Sequence, residues 1–249
     1  MVSGVVLGLT GAGGGIISVP MFIYLGGASI IEATILSLLT VAFCSVFAWY
    51  FQRKKTYIEL SLVLAAFSLL SSHFFAPIKK ELPDWTVLFS FILVTVGGLI
   101  WAWKNSGRKE TKTGLTRAET RNIPFLAKAS VGGLVLGIVT VMTGLGGGVL
   151  MTPFMSGALG MSLGSAVATS LLAIVIATIG AAWVQHDQIA KFLSPELMGA
   201  MIVGAFVAAM ITRKILSGMS ELRVDFLRRV VLTIVVVISI VGSLVKKYG

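Results

Sequence analysis

Glycine, threonine, serine and proline carry the chemistry that recurs in this sequence. The stretch Thr10-Gly11-Ala12-Gly13-Gly14-Gly15-Ile16-Ile17-Ser18-Val19-Pro20 returns as Thr143-Gly144-Leu145-Gly146-Gly147-Gly148-Val149-Leu150-Met151-Thr152-Pro153. Each glycine inside a helix costs about 0.5–1 kcal/mol relative to alanine, so three in a row break it. A helix that restarts after such a break presents free N–H groups and a positive dipole end, which suit an anion. The candidate contacts for that anion are Gly11, Gly13, Gly14 and Gly15 in the first copy and Gly144, Gly146, Gly147 and Gly148 in the second. Thr10, Ser18, Thr143 and Thr152 add hydroxyls, Pro20 and Pro153 close the motifs, and Ser37, Thr169 and Ser170 offer hydroxyls from the following segments. The competing use of a membrane Ser or Thr is a bond to its own i−4 carbonyl. The competing use of the glycines is close helix packing.

Other chemistries fail on residue type. A phosphate loop ends in Gly-Lys-Ser/Thr, and Gly15 is followed by Ile16, Gly148 by Val149. A dinucleotide fingerprint needs a third glycine where Ile16 and Val149 stand. Metal-ligand spacing, paired carboxylates within an apolar run and a Gly-x-Ser-x-Gly elbow are all missing from the sequence, so neither an enzyme nor a cofactor is expected. His73, near the end of the third segment, is a candidate proton carrier; its plainer reading is an interfacial histidine beside Lys79. Glu32, Glu59 and Glu196 read as interfacial. No Lys or Arg reads as deep within a segment, which leaves dipoles and hydroxyls to recognise the anion.

The elements that position these residues are apolar. The residues are 56% hydrophobic and 12% charged, with a mean hydropathy of +0.97; soluble domains are about 25% charged. Apolar runs of about 20 residues, the length of a bilayer crossing, fall near 2–25, 29–51, 57–78, 85–103, 124–159, 163–185, 195–216 and 226–245. The net charge of +10 comes from Lys and Arg in the short connections, the distribution of the positive-inside rule rather than a nucleic-acid surface. The single cysteine, Cys44, lies in an apolar run and reads as a small packed hydrophobe. The start of the chain has no basic n-region and no cleavage site, so it is not read as a signal peptide. The expected fold is an all-α polytopic membrane protein of about eight hydrophobic segments, with the first and fifth broken at their glycines. Its expected place is the cell (inner) membrane.

The two halves align at an offset of 133 residues. Thr10 pairs with Thr143, Pro20 with Pro153, Gly27 with Gly160 and Ser29 with Ser162. Further on, Ala33 pairs with Ala166, Ser37-Leu38-Leu39 with Ser170-Leu171-Leu172, and Gln52 with Gln185. After an insertion near 186–193, Glu59-Leu60 meets Glu196-Leu197 and Phe89 meets Phe226. Residues 1–104 form one repeat, 105–123 a basic cytoplasmic linker, and 124–249 the second repeat. The glycine triplets, the following prolines and the duplication resemble the TauE/SafE sulfite-exporter family of anion permeases, over the whole chain and both motif copies. The apolar lead before the first glycines is shorter than is usual there. The resemblance implies a secondary carrier for sulfite, a sulfonate or another organosulfur anion, with a proton or cation as a coupling partner. An anion channel and a non-transporting membrane scaffold remain the alternatives; the sequence sets no oligomeric state.

Two topologies stay open. If the first and fifth segments each cross once, the halves share one orientation, with 13 Lys/Arg on the linker side and 7 opposite. If each turns back at its glycines, the halves are inverted and the split is 15 against 5. The positive-inside rule favours the inverted version. The 36 residues of 124–159 would also make roughly 54 Å of helix, too long for one crossing of ~30 Å.

Overall fold

The computed structural model describes residues 15–24, 26–104, 123–143, 148–186 and 195–217, with single residues at 189, 226, 230, 233, 234 and 237. Its ordered elements there are helices: α1 Gly15–Tyr24, α2 Ile30–Gln52, a 3-10 turn Arg53–Lys55, α3 Ile58–Glu81 and α4 Asp84–Lys104. The second half of the chain gives α5 Ile123–Thr143, α6 Gly148–Gly157, α7 Leu163–Val184 and α8 Pro195–Ser217. Among the described residues, α2, α3, α5, α7 and α8 are long and apolar enough to cross a membrane. Thr10, Gly11, Gly13, Gly14, Gly144, Gly146, Gly147, the linker and the eighth segment lie outside the described residues, apart from the single residues named.

Local chemistry fixes the helix ends. Ser29 caps α2 in a full capping box: its Oγ accepts from Glu32 N at 3.3 Å, and Glu32 Oε2 accepts from Ser29 N at 2.8 Å. Just before it, Gly27 takes φ +65°, the left-handed region that glycine enters freely. Gly160 takes φ +67° before Ser162, the N-cap of α7. Ala28 N–H bonds Phe22 O at 3.0 Å, and Met161 N–H bonds Met155 O at 3.2 Å. Each of these pairs is separated by 133 residues, as are the starts of α1 and α6 and those of α2 and α7. At the far end of α3, Leu82 and Pro83 stop the helix.

The helices pack through small residues. A Cβ at Gly133 would sit 2.6 Å from Leu64 O, and one at Gly137 would collide with Ser68 O and Ser71 Oγ, so α5 lies directly on α3. Ser71 Oγ donates to Leu134 O at 3.0 Å and Ser72 Oγ to Gly137 O at 3.4 Å, which ties the two backbones together. Lipid offers no hydrophobic drive between helices, so close approach and such bonds must hold them. The outward residues are the large apolar ones: Ile58, Leu62, Leu70 and Phe74 on α3, Leu93 and Ile100 on α4, and Val203 and Phe206 on α8 are all exposed. Cys44 is buried in the core with Val41, Leu64, Met155, Leu171 and Ile174, as a small hydrophobe would be.

Side-chain pairs give the helix directions. Tyr57 N–H donates to Thr169 Oγ1 at 3.1 Å while Leu69 meets Gly180, so α3 and α7 are parallel. Gly133 meets Leu64 and Phe67 while Gly137 meets Ser68 and Ser71, so α5 runs with them. In contrast, α2 is antiparallel to α3: Trp49 Nε1 donates to Thr56 Oγ1 at one end, and Lys79 Nζ to Thr34 Oγ1 at the other. The pairs Phe47–Phe206 and Phe51–Arg213 make α8 parallel to α2. Arg213 therefore lies at the same end of the bundle as Arg53 and Lys55.

Candidate functional site

The site is assembled where α6 meets α7. A Cβ at Gly132 would lie 2.5 Å from the Phe154 ring, a contact that a straight continuation of α5 into α6 cannot make. Over the 22 residues between them a continuous helix would separate the two by roughly 33 Å. So α6 folds back beside α5. Thr152 and Ser170 share a hydrogen bond at 3.3 Å, which places α6 against the first half of α7. Gly148, the first residue of α6, is buried one turn further toward the middle of α7. The N-terminal end of this ten-residue helix thus lies inside the bundle.

The hydroxyls named from sequence divide by what they bond. Thr152 and Ser170, both fully buried, face each other with their hydroxyl oxygens 3.3 Å apart; their two protons are shared among this contact, Gly148 O at 3.4 Å from Thr152 Oγ1 and Val167 O at 2.9 Å from Ser170 Oγ. Thr143 is fully buried and its Oγ1 donates to Val139 O at 2.6 Å, the i−4 use. Thr169 accepts the Tyr57 N–H at the start of α3 and its carbonyl accepts from Ser61 Oγ at 3.0 Å, so it joins α3 to α7. Ser18 and Ser37 are buried on α1 and α2. Pro20 and Pro153 are buried inside α1 and α6, where proline has no N–H for the carbonyls of Ile16 and Val149. Gly15 begins α1 as Gly148 begins α6.

His73 is exposed on the outer surface of α3, edge-on to the exposed Phe74. Glu59 and Glu196 are exposed at helix starts, and Glu32 is engaged in the Ser29 cap. Groups of three or more metal-ligating side chains are absent among the described residues.

Lys79 adds to the expectation that no cation lies deep: it stands in the last turn of α3, at an end of the bundle, yet is buried in protein. Lys79-Lys80-Glu81-Leu82-Pro83-Asp84 reads as a polar turn, but α3 continues to Glu81 and carries Lys79 inward. Lys79 is 4% exposed, and its Nζ donates to Thr34 Oγ1 at 2.8 Å. The available signal was spacing: Ser61, Ala65, Ser68, Ser72, Ala76 and Lys79 repeat at helical intervals and are all buried.

Comparison with protein-family models decides the broad identity. The model described as "Sulfite exporter TauE/SafE" matches residues 1–241. The chain belongs to that family. No curated protein and no solved structure matched it. A TauE/SafE chain with five helices of membrane-crossing length among its described residues is a multi-pass membrane protein of a transport family, not of an enzyme family. Its family description points to a small anion as the substrate.

Proposed function

We propose that this TauE/SafE chain is a secondary carrier of a small sulfur oxyanion or sulfonate in the cell (inner) membrane, working by alternating access. The observation that carries the reading is the burial of Gly148 at the start of α6, beside the Thr152–Ser170 pair. A helix N-terminus opening inside a membrane bundle offers N–H donors and a positive dipole where lipid offers none. Gly144, Gly146, Gly147 and Gly148 with Thr143, Thr152, Pro153 and Ser170 form one half-site. Thr10, Gly11, Gly13, Gly14, Gly15, Ser18, Pro20 and Ser37 form the other. Thr169 joins the set as the neighbour of Ser170, its hydroxyl serving the α3 start.

The two half-sites belong to inverted halves, 1–104 and 124–249, joined by the cytoplasmic linker 105–123. Helix directions support this. Because α2 ends where α3 and α7 begin, α2 and α7 are antiparallel, and α1 and α6 enter from opposite faces. Such an arrangement brings two half-helix N-termini to mid-depth, where inverted-repeat carriers bind their substrates. A coupling proton or cation completes the cycle; His73, facing outward, is not assigned to it.

Uptake by proteoliposomes tests the reading with labelled sulfite, thiosulfate, sulfonates and carboxylates. Saturable flux with counterflow for a sulfur anion is the expected result. Unsaturated high flux would make the protein a channel, and absence of any flux a scaffold.

A further inference from the structure

Among the described residues, Lys79 is the only Lys, Arg, Asp or Glu in the buried class. An ammonium has three N–H donors. One goes to Thr34 Oγ1, which itself donates to Ile31 O at 2.8 Å. Among the described residues no carboxylate pairs with Lys79. Glu32, the acid nearest Thr34 in sequence, has Oε2 on the Ser29 N–H, and Glu81 is exposed. A buried charge without a partner is costly, more so within a membrane. An anion within reach of the two remaining N–H donors would pair that charge.

Three more buried polar side chains, Thr34, Thr143 and Gln185, stand at the end of the bundle that holds Lys79. Leu38, Ala76, Val141 and Ala181 form an apolar layer between α2, α3, α5 and α7. Thr34, Lys79 and Gln185 each stand one helical turn beyond a member of that layer, and Thr143 two residues beyond Val141. All four are buried, at 1%, 4%, 5% and 0% exposure.

We propose that Lys79, held in place by Thr34, is the cationic half of an anion-binding site at the end of the bundle away from the basic linker, and that it takes one oxygen of the transported oxyanion or sulfonate. The proposal rests on the anion-carrier reading. It places a charge at that end of the bundle, apart from the Thr152–Ser170 contact. One cation among neutral groups attracts an anion and still lets it leave, the balance that conduction needs. Lys79 is then a binding residue and Thr34 a positioning residue.

The test uses full-length protein in lipid nanodiscs, titrated with sodium sulfite, thiosulfate and sulfoacetate, with flux measured in proteoliposomes. Wild type is expected to bind and move at least one of the three with saturation. Lys79→Gln should weaken that binding by about 10- to 100-fold, the range of a hydrogen bond to a charged group. Lys79→Arg, which keeps the charge, should restore much of it. Thr34→Val should weaken binding severalfold with the fold intact. A monodisperse Lys79→Gln protein with wild-type affinity overturns the proposal and leaves the carrier reading standing. Where Lys79→Gln does not give monodisperse protein, Thr34→Val decides: unchanged affinity makes the pair structural and overturns it. Wild-type protein that neither binds nor moves any of the three anions overturns the carrier reading and this site with it.

Discussion

Gly27 and Gly160 stand 133 residues apart and share one left-handed backbone, φ +65° and +67°. Each precedes a serine N-cap, Ser29 or Ser162, and follows a ten-residue helix. Nothing lies within 4 Å of a Cβ built at either position, so packing does not demand glycine there. The dihedral does. Gly27→Ala and Gly160→Ala should each cost about 1–2 kcal/mol, the price of a side chain in the left-handed region. Thermal unfolding in detergent should show similar drops for both. A clear loss at one and none at the other would break their equivalence.

Close packing makes a different demand at Gly137. Its absent Cβ leaves room for Ser68 O and Ser71 Oγ, and the Gly137 carbonyl accepts from Ser72 Oγ. Gly137→Ala must part α5 from α3, a strain of about 1–3 kcal/mol or more. Gly97→Ala is the control, because a Cβ there meets nothing within 4 Å. Thermal melts should separate the two variants widely. Equal melting temperatures would mean that the helices part without cost.

Helix positions were legible because apolar runs and polar punctuation agree in this chain. Ser29 with Glu32 marks the start of α2, and Leu82-Pro83 stops α3. The burial of Lys79 was not legible for a physical reason. Inside a membrane protein the buried face is small and polar while the lipid face is large and apolar, so Lys79 beside Lys80 and Glu81 looks like a turn. Its partner there is Thr34 on another helix, 45 residues away in sequence. Thr169 was similarly ambiguous. Its type suits a substrate, but Tyr57 N–H at the start of α3 needs an acceptor, and only the packing of α3 on α7 reveals that use.

The glycine triplets give a prediction about flux. If backbone N–H groups at each break meet the substrate, a large side chain there blocks approach while leaving insertion intact. Gly14→Leu or Gly147→Leu should abolish uptake by proteoliposomes, with protein still recovered in the membrane fraction. A leucine variant that folds and transports normally would remove the glycines from the site.

Topology offers the last prediction. Arg53 lies over Tyr50 at 4.9 Å, and Arg213 lies over Phe51 at 5.1 Å. The two arginines therefore mark one end of the bundle, where Lys55 also reaches Gly164 at the start of α7. Lys and Arg concentrate on the cytoplasmic side, so this end is expected to be cytoplasmic together with the linker. In a Cys44→Ala background, Lys55→Cys and Lys214→Cys should react with a membrane-impermeant thiol reagent from the same, cytoplasmic side. The sequence leads one to expect that, after α8 returns the chain to that side, the apolar run at 226–245 crosses once more. A tag placed after Gly249 should then be reached from the external face. Labelling of position 214 from outside, or of the tag only from the cytoplasm, would restore parallel halves and separate the two glycine breaks from a shared mid-depth site.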